Sequence, residues 1–230
     1  MSKENLHFSY NTFDETIIEC LRIIKPSRIL DIGSGDGKYG KIIRAANLSP
    51  KPLVRALEAV EACREDLEKL YDEVIIDVPD SLYNTKETNF DVVILGDVIE
   101  HFKKSDGLDL LEFLTYRSAY IIIATPECMV QNIPGNFYAS HNSIWRPEAF
   151  GWHDRWAHAN SRTMHLYILR GYLNWQGANL NDIVNQINAK NIVAPSPNST
   201  LVKHTKLQLH SDILKEPADD GDGFIQFRPS

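Results

Sequence analysis

The segment at residues 28–40, RILDIGSGDGKYG, constrains the fold of this chain more than any other stretch. Its first part, RILDI, is a largely apolar, β-branched run, which predicts a buried parallel strand. Gly33, Gly35 and Gly37 follow, and their missing Cβ atoms allow a tight turn close to a ligand. The residues from Lys38 onward predict a helix. This combination predicts a nucleotide-binding site, because free amides and the helix dipole point at the bound group.

The glycine turn is compatible with two classes of cofactor. Gly35, Gly37 and Gly40 match the dinucleotide pattern G-x-G-x-x-G, but a lone match of this kind has low specificity. Asp31 favours another cofactor, because its carboxylate would accept hydrogen bonds from an ammonium group and repel a pyrophosphate. Asp31, Gly33, Gly35 and Gly37 resemble D-x-G-x-G-x-G, the first motif of class I S-adenosylmethionine-dependent methyltransferases. The resemblance extends over roughly residues 10–170 and implies S-adenosylmethionine as the cofactor.

Composition sets further limits on the protein. A chain of 230 residues has room for one α/β domain with a full core and a modest extension. Cys20, Cys63 and Cys128 are odd in number and widely spaced, which indicates free thiols in a reducing compartment. The sequence contains neither a signal-peptide pattern nor an apolar run of about 20 residues, so we expect a soluble, cytoplasmic protein without a membrane partner. The formal net charge of -7 argues against nucleic acid as a partner.

Acidic residues also mark two further predicted strands. Glu58 follows the apolar run at residues 53–57, where an acid commonly binds the ribose hydroxyls of a nucleotide. An ordinary exposed glutamate is the alternative. Asp77 interrupts the apolar run at residues 74–78, and an acid in such a strand needs a polar partner. The methyltransferase resemblance implies that Glu58 binds the ribose and that Asp77 meets the adenine amino group.

A fourth apolar run, at residues 90–95, predicts a central parallel strand and leads into GDVIEH at residues 96–101. Ligands of open α/β sheets bind beyond the carboxyl ends of the strands, so we expect this segment to lie over the cofactor. The letters VIEH resemble a segment common in one large methyltransferase subgroup. The predicted cofactor contacts are Asp31, Gly33, Ser34, Gly35, Glu58, Asp77, Val78, Gly96 and Asp97.

The resemblance implies a Rossmann-like α/β fold that is doubly wound, with a seven-stranded, mostly parallel sheet and an antiparallel last strand. We expect this S-adenosylmethionine-binding domain to occupy residues 1–170. Residues 171–230 are predicted to form a C-terminal extension of one helix and short strands. Its expected role is packing or the contacts of a homo-oligomer.

Regular periodicity is lost over residues 127–150, where aromatic, Asn, Gly and His residues gather. A loop of this length in a compact domain predicts a lid or binding surface, which we assign to the methyl acceptor. HNSIWRPEAF at residues 141–150 resembles the H-x-S-x-W-x-x-E-x-F stretch of methyltransferases that act on sugars and other small hydroxylated molecules. O-methylation of such a small-molecule acceptor is therefore the leading hypothesis.

The chemistry of methyl transfer indicates which side chains to seek. Transfer from a sulfonium is an in-line displacement, so the enzyme mainly aligns donor and acceptor and excludes water. A hydroxyl acceptor also needs its proton removed, which suits a histidine of near-neutral pKa. His101 and His141 are the predicted catalytic residues. The alternative for each is a structural histidine bonded to the backbone.

A metal-dependent mechanism is a second interpretation of the same region. Asp97, Glu100 and His101, with His141 four residues before Trp145, resemble the E-x-x-E-H segment and the histidine that bind a divalent metal in methyltransferases of the 3′-terminal 2′-hydroxyl of small RNAs. An RNA 2′-O-methyltransferase is therefore an alternative, although Asp in place of the first Glu shortens that ligand. S-adenosylmethionine chemistry without methyl transfer, and a binding protein descended from an enzyme, are also compatible with these residues. We expect a site without metal, with a bound divalent metal as the alternative.

Overall fold

The computed structural model describes residues 10–85, 89–127, 140–194 and 203–211. The first helix, α1 (Asp14–Ile24), buries Ile17, Leu21 and Ile24. It ends where Lys25 takes a left-handed conformation, and Pro26 follows as a residue that cannot continue the helix. Within the described ranges, no helix has both the length and the apolar character needed to cross a membrane.

The strands form a large mixed sheet and a small hairpin. In the large sheet, β3, β2, β1, β4 and β5 run parallel, and β7, β6 and β10 are added antiparallel in the order β10-β6-β7-β5-β4-β1-β2-β3. Strands β8 and β9 pair only with each other in the described chain. The bounds are β1 Arg28–Ile32, β2 Leu53–Glu58, β3 Glu73–Ile76, β4 Phe90–Gly96, β5 Ser118–Pro126, β6 Arg155–Ser161, β7 Met164–Arg170, β8 Val193–Ala194, β9 Lys203–His204 and β10 Gln208–Ser211.

Helices cover the sheet on both faces. Helices α1, α2 (Lys38–Ala45), α3 (Arg64–Leu67) and α5 (Leu180–Lys190) share one core, and α4 (Lys104–Thr115) lies in the other core. Successive strand residues alternate between the two cores, with Ile29 in the first and Leu30 in the second. The doubly wound, mostly parallel α/β fold predicted from the sequence is confirmed.

The predicted strand number is wrong, because the large sheet has eight strands instead of seven. The additional strand is β10, which pairs antiparallel with β6 and places Leu209 opposite Ala157. The sequence shows an alternating segment in this region but carries no signal for its pairing partner. The pairing and register of strands that are far apart in the sequence are set by tertiary packing, and local periodicity carries no information about them.

Helix α5 and the described segment at residues 203–211 pack back onto α1. Lys190 at the end of α5 pairs with Glu19 of α1, and the Thr16 and Thr205 hydroxyls are hydrogen-bonded at 3.2 Å. The assignment of residues 171–230 to a C-terminal extension that makes packing or homo-oligomer contacts stays a prediction. Cys20 and Cys63 are buried and form no disulfide among the described residues, and Cys128 lies outside those residues.

Gly171 follows β7 at a point where the chain passes close to the start of β5. Its amide donates to the Ala119 carbonyl at 2.8 Å, and a Cβ atom would lie 1.9 Å from the Ser118 carbonyl oxygen. Neither backbone can withdraw without losing sheet hydrogen bonds. At Gly151, in contrast, the nearest described atom to the position of a Cβ is the Glu148 carbonyl oxygen, at 3.6 Å.

We therefore expect Gly171→Ala to lower the free energy of unfolding by about 1–3 kcal/mol, as overpacked sites do. The matched Gly151→Ala substitution should leave stability within roughly 0.5 kcal/mol of wild type. Urea denaturation followed by circular dichroism measures both values. Equal stability of the two variants would contradict the close approach at Gly171.

Candidate active site

The turn after β1 has the backbone that a nucleotide site requires. Gly33, Gly35 and Gly37 have φ values of 67°, 54° and 83°, a region that side chains with a Cβ rarely adopt. A Cβ on Gly33 would also lie 2.5 Å from the Val98 side chain. Gly37 is the N-cap residue of α2, so the first free amides of this helix lie at the carboxyl end of β1.

Asp31 is a buried acid beneath this turn. It is 1% exposed, and its Oδ2 accepts a hydrogen bond from the Tyr71 hydroxyl at 2.5 Å. Its Oδ1 is buried without a hydrogen-bond partner among the described residues. Burial raises the pKa of Asp31 to about 7, and the negative charge of Glu58 adds to this, while the bond from Tyr71 and the charge of Lys38 oppose it. The protein thus keeps an incompletely paired carboxyl group in its interior.

Glu58, at the end of β2, holds the glycine turn from the other side. Its Oε2 accepts the Gly35 amide at 2.8 Å and its Oε1 accepts the Val60 amide at 2.9 Å. The side chain is 5% exposed yet lines the adjoining cavity. The alternative of an ordinary exposed glutamate is therefore wrong.

A cavity of about 510 Å³ opens at the carboxyl ends of the parallel strands. The turn after β1, the end of β2, the segment after β3 and the segment after β4 all line it. The predicted cofactor contacts in this lining are Gly33, Glu58, Asp77, Val78 and Asp97. The predicted contacts outside it, as far as the structure describes the chain, are Asp31, Ser34, Gly35 and Gly96. The Tyr39 ring lies against Gly96 and fills the space that a Cβ would need.

Sequence reasoning missed part of the lining. Asp80 and Tyr83 come from the 3-10 helix Pro79–Asn84, and Phe102 and Lys103 precede α4. Asp106 and Asp109 lie one turn apart on α4 and both face the cavity. A signal for the last pair was available, because i and i+3 positions of a helix share a face. The others come from irregular backbone that periodicity does not detect.

Glu100, His101 and His141 form a second cluster beside the cavity. One ligand atom from each lies within 4.8 Å of the others, and the two imidazole centroids are 4.9 Å apart. Glu100 is 1% exposed, and its Oε2 accepts a bond from the Thr125 hydroxyl at 2.9 Å. Its Oε1 is buried without a partner among the described residues. Burial and the nearby charge of Asp97 raise the pKa of Glu100 to about 8.

The two histidines have different surroundings. His101 lines the cavity, and its Nδ1 lies 3.0 Å from the Ser140 carbonyl. Since a carbonyl only accepts, Nδ1 carries the proton and Nε2 carries the lone pair of a neutral ring. His101 therefore has the backbone bond of a structural histidine and also a basic nitrogen. His141 lies outside the described cavity lining, and partial burial lowers its pKa.

The segment at residues 140–145 is attached to the turn after β4. Amides of Asn142 and Ser143 donate to the Glu100 carbonyl at 2.7 and 3.1 Å, and the Trp145 indole donates to the Ile99 carbonyl at 3.0 Å. Trp145 is fully buried and fixes this segment in the core. The H-x-S-x-W motif therefore holds His141 near the cavity. Residues 128–139 of the predicted lid lie outside the described part of the chain, and the lid stays a prediction.

Comparison with solved structures shows the fold. A SAM-dependent methyltransferase from Archaeoglobus fulgidus aligns with a TM-score of 0.51 and 16% identity, covering 68% of this chain and 94% of that chain. The PH0226 protein from Pyrococcus horikoshii OT3 aligns with a TM-score of 0.52 and 15% identity, covering 70% and 88%. The plantazolicin methyltransferase BpumL, solved in complex with SAH, aligns with a TM-score of 0.50 and 14% identity, covering 70% and 86%.

Comparison at the level of sequence gives a family. No curated protein sequence matches this chain. The family model described as methionine biosynthesis protein MetW matches residues 13–132. That segment exceeds half of the chain and contains the glycine turn, Glu58, Asp77 and the segment after β4. The chain therefore belongs to the MetW family, on a class I methyltransferase fold.

Proposed function

We propose that this protein is an S-adenosylmethionine-dependent methyltransferase that methylates a hydroxyl group of a small molecule or sugar. The main support is the cavity at the carboxyl ends of the parallel strands, which adjoins a glycine turn and is lined by acids at the ends of successive strands. Ligands of open α/β sheets bind at this edge. Each strand end there offers a group that one part of the cofactor requires.

Three acids divide the recognition of the cofactor in this proposal. Asp31 accepts from the α-ammonium group through Oδ1, which has no hydrogen-bond partner among the described residues. Glu58 binds the ribose hydroxyls, because each carboxylate oxygen that accepts one backbone amide retains a second lone pair. Asp77 lines the cavity after β3 and accepts from the adenine amino group.

The charge of the cavity supports a small, non-phosphorylated acceptor. Its described lining includes Asp80, Asp97, Asp106 and Asp109, whereas Lys103 is the one lysine in that lining, which contains no arginine. A phosphate brought into this surface would be repelled by several carboxylates at once. A sulfonium donor and a neutral hydroxylated acceptor meet no such penalty. This argues for a sugar-like acceptor over RNA.

His101 is the favoured base for the acceptor hydroxyl. Its Nδ1 bond to the Ser140 carbonyl fixes the tautomer whose Nε2 accepts a proton. It lines the cavity, and His141 packs edge-on against it as a positioning or second acceptor-binding residue. The held donor and acceptor then need only an in-line approach from which water is excluded.

A metal-dependent methyltransferase is the second candidate, because Glu100, His101 and His141 converge within 4.8 Å. The residues fit a metal: Glu100 Oε1 is buried and unpaired in the described structure, and the His101 ring is oriented through its other nitrogen. One carboxylate and two imidazoles favour Mn²⁺, Co²⁺ or Zn²⁺ over Mg²⁺. When bound, such an ion would polarise a hydroxyl and lower its pKa. Asp97 lies outside this group, and its carboxylate accepts from the Tyr10 amide at 3.3 Å.

The raised pKa of Asp31 gives a pH-dependent affinity. The ammonium group needs the carboxylate, so wild-type affinity for S-adenosylhomocysteine should fall by up to about tenfold per unit as the pH drops below 7. Asp31→Asn should bind roughly 10- to 100-fold more weakly at pH 8 and show little pH dependence. Calorimetry over this pH range measures both. Asp36→Asn is the control, since Asp36 lies in the same turn but is exposed and paired with Lys41. Preference of the wild type for NAD would refute the cofactor assignment.

The metal question is decided by chelation and by direct binding. We expect activity on a panel of hydroxylated acceptors to persist in EDTA and to fall by about 10²- to 10⁴-fold in His101→Ala. His204→Ala, at an exposed histidine that bonds the Asn191 carbonyl, is the control. Loss of activity in EDTA, recovery with Mn²⁺, and a calorimetric Mn²⁺ signal that disappears in Glu100→Gln would instead establish the metal site.

A further inference from the structure

Tyr71 connects two parts of the glycine turn that are distant in sequence. It lies between α3 and β3 and is 6% exposed. Its hydroxyl donates to Asp31 Oδ2 at 2.5 Å and accepts the Gly40 amide at 2.8 Å. One buried oxygen therefore joins the strand end, the helix start and the segment before the outer strand.

The bond to Gly40 uses a helix-terminal amide. Gly40 is in the first turn of α2, where backbone N–H groups have no partner within the helix. The Tyr71 hydroxyl satisfies that amide, and accepting this bond strengthens it as a donor to Asp31. A hydroxyl that receives a bond from the positive end of a helix thus faces a carboxylate, which favours the ionised form of the acid.

The contact with Tyr71 also explains why position 40 is a glycine. A Cβ there would lie 2.6 Å from two carbon atoms of the Tyr71 ring. The third glycine of the G-x-G-x-x-G match therefore admits a tyrosine from the protein itself and need not face a ligand. Its φ is not in the left-handed region.

The two carboxylate oxygens of Asp31 differ in their hydrogen bonding. Oδ2 is engaged by Tyr71, and Oδ1 is buried without a partner among the described residues. We propose that Tyr71 is a positioning residue for the cofactor, which orients the Asp31 carboxylate so that Oδ1 receives the α-ammonium group. This inference rests on the proposed function, because it assumes that S-adenosylmethionine occupies the cavity.

The test separates the amino-acid part of the ligand from its nucleoside part. S-adenosylhomocysteine carries the ammonium group, and 5′-methylthioadenosine lacks it. Calorimetry should show that Tyr71→Phe weakens S-adenosylhomocysteine by about tenfold and changes 5′-methylthioadenosine less than about twofold. Tyr120→Phe is the matched control, because that hydroxyl bonds the distant Ala178 carbonyl. It should change neither affinity.

Two further variants connect the effect to Asp31. In Asp31→Asn protein, adding Tyr71→Phe should cause no additional loss of S-adenosylhomocysteine affinity, since the carboxylate to be oriented is gone. Gly40→Ala should displace the Tyr71 ring without removing its hydroxyl, and it should cause the same selective loss of S-adenosylhomocysteine affinity. This variant replaces Tyr71→Phe in the test if Tyr71→Phe does not fold.

The outcomes are distinct. A wild type that binds neither ligand overturns the proposed function. If the wild type binds both ligands, two results would overturn the positioning role alone. One is an equal loss of affinity for the two ligands in Tyr71→Phe and Gly40→Ala. The other is an additive loss of affinity in the variant that combines Asp31→Asn with Tyr71→Phe.

Discussion

The glycine turn between β1 and α2 is held by side chains in addition to its own backbone bonds, in which the Gly33 amide donates to the Leu57 carbonyl and the Gly37 amide to the Ser34 carbonyl, each at 2.8 Å. Glu58 accepts the Gly35 amide in the turn and the Val60 amide after β2, and the Tyr71 hydroxyl accepts the Gly40 amide in the first turn of α2. Both groups are buried, so each bond forms in a region of low dielectric, where leaving it unmade would be costly. The shape of the cavity follows from this bracing, since Gly33 and Glu58 belong to its wall.

Two buried carboxyl groups dominate the electrostatics of the site. Asp31 and Glu100 are each 1% exposed, and the pKa of each is raised by desolvation. Each also has one oxygen without a partner in the described structure. Interior carboxyl groups of this kind lower stability at neutral pH, because folding must then remove a charge from water. Their presence beside a cavity indicates groups that a ligand completes.

The sequence predicted those features that local pattern determines. Apolar runs located the parallel strands, and their ends located Glu58 and Asp97 at one edge of the sheet. Asp77 was expected inside the third strand, but β3 ends at Ile76 and Asp77 follows it at the same edge. It did not locate β10, whose pairing with β6 depends on packing across the fold. Long-range contacts account for the other gaps. Tyr71 resembles an ordinary apolar core residue in the sequence, and only its contact with Asp31, 40 positions away, shows what its hydroxyl does. Asp31 lies at the end of β1 as predicted, but its burial excludes it from the described cavity wall, and its contact with the cofactor stays a prediction.

The packing of α5 on α1 has a consequence for how the protein is made. The buried face of α1 includes Ile17 and Leu21, in the same core as Ile183 and Ile187 of α5. Helix α1 leaves the ribosome long before α5, so the part of its apolar face that α5 covers stays exposed until α5 has been made. Such a surface is prone to association with other nascent chains. Helix α5 thus completes this core, and a ribosome that stalls before residue 180 releases a chain in which the core is open.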